Sequence, residues 1–131
     1  MSTTERIIPA PITNPENQEY FDACARDVLL VGKCQACGEH HFYPRRVCPH
    51  CFSDDVKWVP AKGGGTIYTY STLHRGVPVP YTIAYVTLDE GVSMMTNIVD
   101  FTPGTLAIGQ RVNVVFKAAE DGTKVPMFKP A

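Results

Sequence analysis

Residues 31–58 read VGKCQACGEHHFYPRRVCPHCFSDDVKW. Four cysteines stand there as two C-x-x-C pairs, Cys34 with Cys37 and Cys48 with Cys51, with ten residues between the pairs. Each pair favours a tight turn that aims two thiolates at one point, and two such turns complete a tetrahedron. Gly38 follows the first pair and Pro49 sits inside the second, which suits turn geometry. This is the spacing of a zinc ribbon. A closed four-thiolate site has no open coordination position, so the ion it predicts is structural, not catalytic. Such an ion contributes to folding on the order of 10 kcal/mol in small zinc modules. A rubredoxin-like iron site uses the same ligands, and the spacing leaves iron open. His40, His41 and His50 read as exposed loop residues, because four sulfurs already fill the tetrahedron.

Upstream of the cysteines, residues 1–13 contain prolines and show no periodicity. They read as an extended or flexible arm, or as a segment that orders on a partner. Residues 14–30 then predict a helix. Asn14 can accept from the first free N–H groups, Pro15 suits the first helical position, and Glu16 and Glu19 lie near the positive end of the dipole. Tyr20, Cys24 and Val28, with Phe21, Ala25 and Leu29, form one apolar face at i+4 spacing, and Gly32 offers a stop. That face must meet the rest of the chain or another subunit. Cys24 on it reads as a small buried residue.

Downstream, after the ribbon at 31–60, Gly63, Gly64 and Gly65 look like a joint opening a domain over 61–131. TIYTYSTLH is rich in β-branched and aromatic residues. YTIAYVTLD, the turn at Asp89–Gly91 and VSMMTNIVD predict a hairpin. RVNVVFKA alternates as a strand, EDGT turns, and VPMF gives a short last strand. The fold class is mostly β: an N-terminal helix, a zinc ribbon, then a small OB-type Greek-key barrel.

Composition bounds the function. The 131 residues carry a net charge of −1, without the basic face expected for nucleic acid. No apolar run approaches the ~20 residues that cross a bilayer. The opening twenty residues lack a signal-peptide core and carry acidic residues unlike a transit peptide, so a cytoplasmic protein with reduced cysteines is expected. No G-x-S-x-G elbow and no P-loop occurs. His74 has no identifiable catalytic partner, and Asp89 and Glu90 suit turn geometry alone.

From residue 15 to 128, the order of helix, C-x-x-C pairs with YPRR between them, Trp58, GGTIYTYS, Pro80–Tyr81 and LDEG resembles the acyl-CoA-associated OB-fold family with an N-terminal rubredoxin-like zinc ribbon. The resemblance implies an accessory subunit of a thiolase-like acyltransferase, a hydratase or an aldolase acting on CoA thioesters, with catalytic residues on the partner. It also implies a share in the CoA-binding surface. Between residues 33 and 88, Lys33, Arg45, Arg46, Lys57, Lys62 and Arg75 stand against Glu39, Asp54 and Asp55. A CoA site needs cations and an aromatic shelf. Arg45, Arg46, Lys62, Arg75 and Tyr81 are its candidates, with Gly63–Gly65 allowing close approach. Two other classes stand beside this reading: a nucleic-acid-binding ribbon/OB module, and a stand-alone enzyme using His74 or Cys24.

Overall fold

The computed structural model describes residues 7–15, 17–42 and 45–131. Residues 1–6 of the arm, Glu16 at the helix start, and Tyr43 and Pro44 of YPRR lie outside the described residues.

The helix is shorter than the apolar pattern predicts. α1 spans Gln18–Ala25, not 14–30. At its start, the Asn17 N–H reaches the side-chain oxygen of Asn14 at 3.0 Å, and the Asn14 N–H reaches that of Asn17 at 2.7 Å. Asn14 therefore accepts as expected, but in a turn that precedes the helix. At its end, Asp27 adopts φ 60°. The Val28 N–H then bonds to the Ala23 carbonyl (3.0 Å) and the Asp27 N–H to the Cys24 carbonyl (2.9 Å). This is a Schellman closure with aspartate where glycine is usual, reinforced by Lys124 Nζ at 2.8 Å from the Asp27 carboxylate. Val28 and Leu29 lie beyond the helix, and Ala25 is exposed. The buried face is Tyr20, Phe21, Ala23 and Cys24. It packs within this chain, against the last barrel strand (Lys124–Pro130), and shares one core with Leu29, Leu30 and Val31.

The ribbon sheet contains β1 (Leu30–Cys34), β2 (His40–His41) and β3 (Val56–Pro60), antiparallel in the order β2-β1-β3. Gly32 is no helix stop. It sits in β1 opposite His41, where a Cβ would lie 2.3 Å from the imidazole Nε2.

Five strands form the barrel: β4 (Gly64–Leu73), β5 (Tyr81–Leu88), β6 (Ser93–Ile98), β7 (Arg111–Ala118) and β8 (Lys124–Pro130). They close in the order β4-β5-β6-β8-β7, with Gly65 of β4 paired to Val112 of β7. The parallel β6–β8 contact, Ile98 with Phe128, is the one non-antiparallel pairing among the described strands. This closed five-strand order is an OB-type barrel. The hairpin pairs Thr87 with Ser93, and the alternation of RVNVVFKA buries Val112.

The three glycines are not a joint. Gly63, Gly64 and Gly65 are buried, and the last two begin β4. A Cβ on Gly63 would lie 2.7 Å from Val114, and one on Gly65 would lie 2.6 Å from Val86 and 2.8 Å from the Thr87 carbonyl. They permit close strand packing at the closure of the barrel and leave no space for a ligand backbone. One hydrophobic cluster runs from Tyr20, Leu29 and Val31 to Ile67, Val86, Val112 and Phe128, so helix, ribbon and barrel share a core.

Candidate metal centre and ligand surfaces

The two C-x-x-C turns are built alike. The Gly38 N–H bonds to the Cys34 carbonyl and the Phe52 N–H to the Cys48 carbonyl, both at 2.9 Å. The Cys34 N–H bonds to the Glu39 carbonyl (3.0 Å) and the Cys48 N–H to the Ser53 carbonyl (2.8 Å). A backbone N–H also points at the first sulfur of each pair: Cys37 to Cys34 Sγ at 3.4 Å, and His50 to Cys48 Sγ at 3.3 Å. β1 ends in the first turn and the second precedes β3, so the ribbon sheet holds both.

The four sulfurs all lie within 4.8 Å of one another. Cys34 Sγ is 3.5 Å from Cys51 Sγ, and Cys37 Sγ is 3.7 Å from Cys48 Sγ. These distances exceed the ~2.05 Å of a disulfide. They match the edge of about 3.8 Å that a tetrahedron of ~2.3 Å metal–sulfur bonds requires. The donor set also calls for a cation. The N–H of Cys37 leads in drawing the Cys34 thiol down to about 7. Cys37 is driven up to about 12: the Glu39 N–H works against this, and burial and the sulfurs of Cys34, Cys48 and Cys51 outweigh it. Four thiolates this close cannot all ionise without a positive charge between them. The residues therefore fit a four-thiolate metal.

No histidine joins the cluster among the described residues. The expectation of exposed loop histidines needs correction, because His40 and His41 form β2 and His41 is buried. Its ring packs on Gly32. Burial, with the charges of His50 and Arg45, lowers its pKa. The sequence signal for this burial was Gly32 itself, the one strand position beside it without a side chain.

The CoA candidates are spread out. Arg45 and Arg46 are exposed on the loop after β2, and Lys62 is exposed before β4. Arg75 is exposed beyond the other end of β4, with the ten-residue strand between it and Lys62. Tyr81 alone of the five lines a cavity of about 870 Å³ at one end of the barrel, together with His74, Asn97, Phe101, Lys117 and Met127. Lys117 on its wall pairs with Asp100 at 2.9 Å. Asp89 does more than turn the chain: its carboxylate takes both Arg111 nitrogens at 2.8 and 3.1 Å across Gly64, and Arg111 holds its pKa down. Sequence reading missed this pair because its members are 22 residues apart.

A second surface lies outside the barrel. β4, β5 and β6 contain no charged residue. Tyr85 and Met95 are register partners that point outward, 48% and 62% exposed, with exposed Ile83 on β5. The irregular register between Ile67 and Thr69 leaves Tyr68 outside as well, 68% exposed.

A family model described as the ChsH2 rubredoxin-like zinc ribbon domain matches residues 21–57, and one described as the ChsH2 C-terminal OB-fold domain matches residues 58–117. Among solved structures, the chain is similar to the Ltp2-ChsH2(DUF35) aldolase, at 33% identity and a TM-score of 0.81, covering 92% of this chain and 98% of that one. The chain belongs to the DUF35 family. A DUF35 domain-containing scaffold protein of Methanocaldococcus jannaschii is 36% identical over 74% of either chain. A probable enoyl-CoA hydratase alpha subunit of Thermomonospora curvata is 34% identical over 94% of this DUF35 chain, which spans 40% of that subunit's length. Half of this chain aligns at 29% identity with 47% of the benzoylsuccinyl-CoA thiolase subunit BbsA of Geobacter metallireducens.

Proposed function

We propose that this DUF35 chain is a non-catalytic accessory subunit, with structural zinc in its ribbon. It assembles with a CoA-thioester enzyme, foremost a thiolase-like acyltransferase, and helps to bind the CoA moiety. The observation that carries this reading is the uncharged, aromatic outer face of β4–β6, which presents Tyr68, Ile83, Tyr85 and Met95 to solvent. Contiguous exposed apolar surface of this kind marks an interaction site. The hydratase, thiolase and aldolase descriptions of the relatives supply the partner class. Zinc, when bound, supplies a four-thiolate crosslink and no open position for substrate.

The same face weighs against nucleic acid. Exposed tyrosines on an OB sheet can stack bases, but such platforms lie in a cationic groove, and β4–β6 carry no cation. Cys24 suits no nucleophilic role, since burial pushes its thiol up to about 11. Among the described residues, no helix is long and apolar enough to cross a membrane.

For the ligand, the cavity lined by Tyr81 and His74 is the favoured entry, with Arg75 next to His74 in sequence. Arg45, Arg46 and Lys62 are exposed cations placed elsewhere, on surface that a partner would cover. The test is affinity purification of the tagged chain from its own cells with zinc in the buffer, then mass spectrometry. A stoichiometric thiolase-like, hydratase or aldolase subunit is expected. Recovery of nucleic acid instead, with salt-sensitive binding, would overturn the assignment.

A further inference from the structure

The two metal turns share their backbone closures, and the residue that follows each pair separates them. The position after each pair, Gly38 in the first and Phe52 in the second, is in the left-handed region, at φ 77° and 64°. Glycine adopts that backbone freely. A residue with a Cβ does so at a cost of roughly 5- to 30-fold in a folding equilibrium. The Phe52 side chain recovers little of this among the described residues. Its ring is 81% exposed, and it has no ring partner among the described residues. The left-handed backbone closes the metal turn, as it does at Gly38; a phenylalanine there in place of glycine adds a cost that turn closure does not require, which points to function.

The mount matters too. Phe52 directly follows a metal-ligand candidate, Cys51, on a turn pinned by its own backbone bonds, so presenting the ring costs little ordering on binding. Val47, which directly precedes the second pair in sequence, is also exposed. Arg45 and Arg46 precede it, and Asp54 and Asp55 follow it, all four exposed. The tip is thus an aromatic knob with a rim that carries both signs.

The geometry points to Phe52 as an anchor side chain that enters an apolar socket on the partner subunit, with acidic groups of that socket facing the arginines and basic groups facing the aspartates. This rests on the accessory-subunit reading above, and it places a contact on the ribbon, separate from the barrel face. Burying an aromatic anchor in a well-packed, desolvated pocket supplies a large share of an interface's affinity.

Phe52→Gly tests it, because strain and binding move in opposite directions. In the isolated zinc-loaded chain, the substitution restores the residue found in the first turn. The folding equilibrium, measured by urea titration, is expected to rise roughly three- to fivefold. Affinity for the purified CoA-enzyme subunit recovered with the wild-type chain, measured by calorimetry, is expected to fall about 30-fold or more. Phe52→Leu keeps the strain and part of the apolar volume, and is expected to lose less. Unchanged affinity in both variants, or a less stable Phe52→Gly chain, overturns the anchor and leaves the accessory role standing. A wild-type chain that recovers no CoA-enzyme subunit overturns both.

Discussion

At the residue scale, three small side chains decide what their neighbours can do. A methyl on Gly65 meets backbone, the Thr87 carbonyl at 2.8 Å, and cannot be relieved by a side-chain rotation. A methyl on Gly64 crowds the ends of Asp89 and Arg111, at 2.8 and 2.9 Å, on an exposed ion pair, with Asn113 Oδ1 at an ordinary 3.7 Å. Gly65→Ala should therefore destabilise the chain by about 2–3 kcal/mol, and Gly64→Ala by under ~1 kcal/mol. Urea denaturation of the two variants checks the contrast. Gly32 makes room for the buried His41 ring, whose pKa is lowered by burial. A lowered folded-state pKa means that protons bind the unfolded chain more readily. His41 therefore contributes stability above its unfolded pKa near 6.5, and that contribution is lost as the pH falls below it. His41→Phe should flatten the pH dependence of stability below about pH 6.5, measured against wild type at equal zinc saturation.

At the element scale, the ribbon strands are short and flank the four-cysteine cluster. β2 has two residues, and β1 and β3 have five each. Chelating the metal removes a crosslink worth on the order of 10 kcal/mol. The expected result is loss of amide protection in β1, β2 and β3 first, followed by a weakened barrel, since one core joins them. Hydrogen exchange with and without chelator shows the order. Elements with local causes were legible in the sequence. The cysteine spacing predicted the sulfur cluster, and the alternation of Val112, Val114 and Phe116 predicted β7. What was not legible depended on contacts between distant residues. The helix end at Asp27 uses a left-handed aspartate held by Lys124, 97 residues away. The glycines at 63–65 looked like a joint because only the closed barrel shows what packs against them.

At the scale of the whole molecule, charge and exposure are divided. β7 and β8 carry Arg111, Lys117, Lys124 and Lys129, while β4, β5 and β6 carry none. An isolated domain gains nothing from an exposed tyrosine–methionine face, whereas a subunit does. Tyr85→Lys should leave folding intact within about 0.5 kcal/mol, as for an ordinary surface change, and release the partner. Co-purification of that variant checks it. The same division explains why partner class, unlike fold, was legible only through resemblance: a surface made for another protein has no local motif.

The most direct test of the accessory role is native mass spectrometry of the assembly purified through this chain. The account predicts a hetero-oligomer of this chain with a CoA-thioester enzyme subunit, with one zinc per copy of this chain. A chain that flies alone with its zinc in place, or with nucleic acid attached, would contradict it.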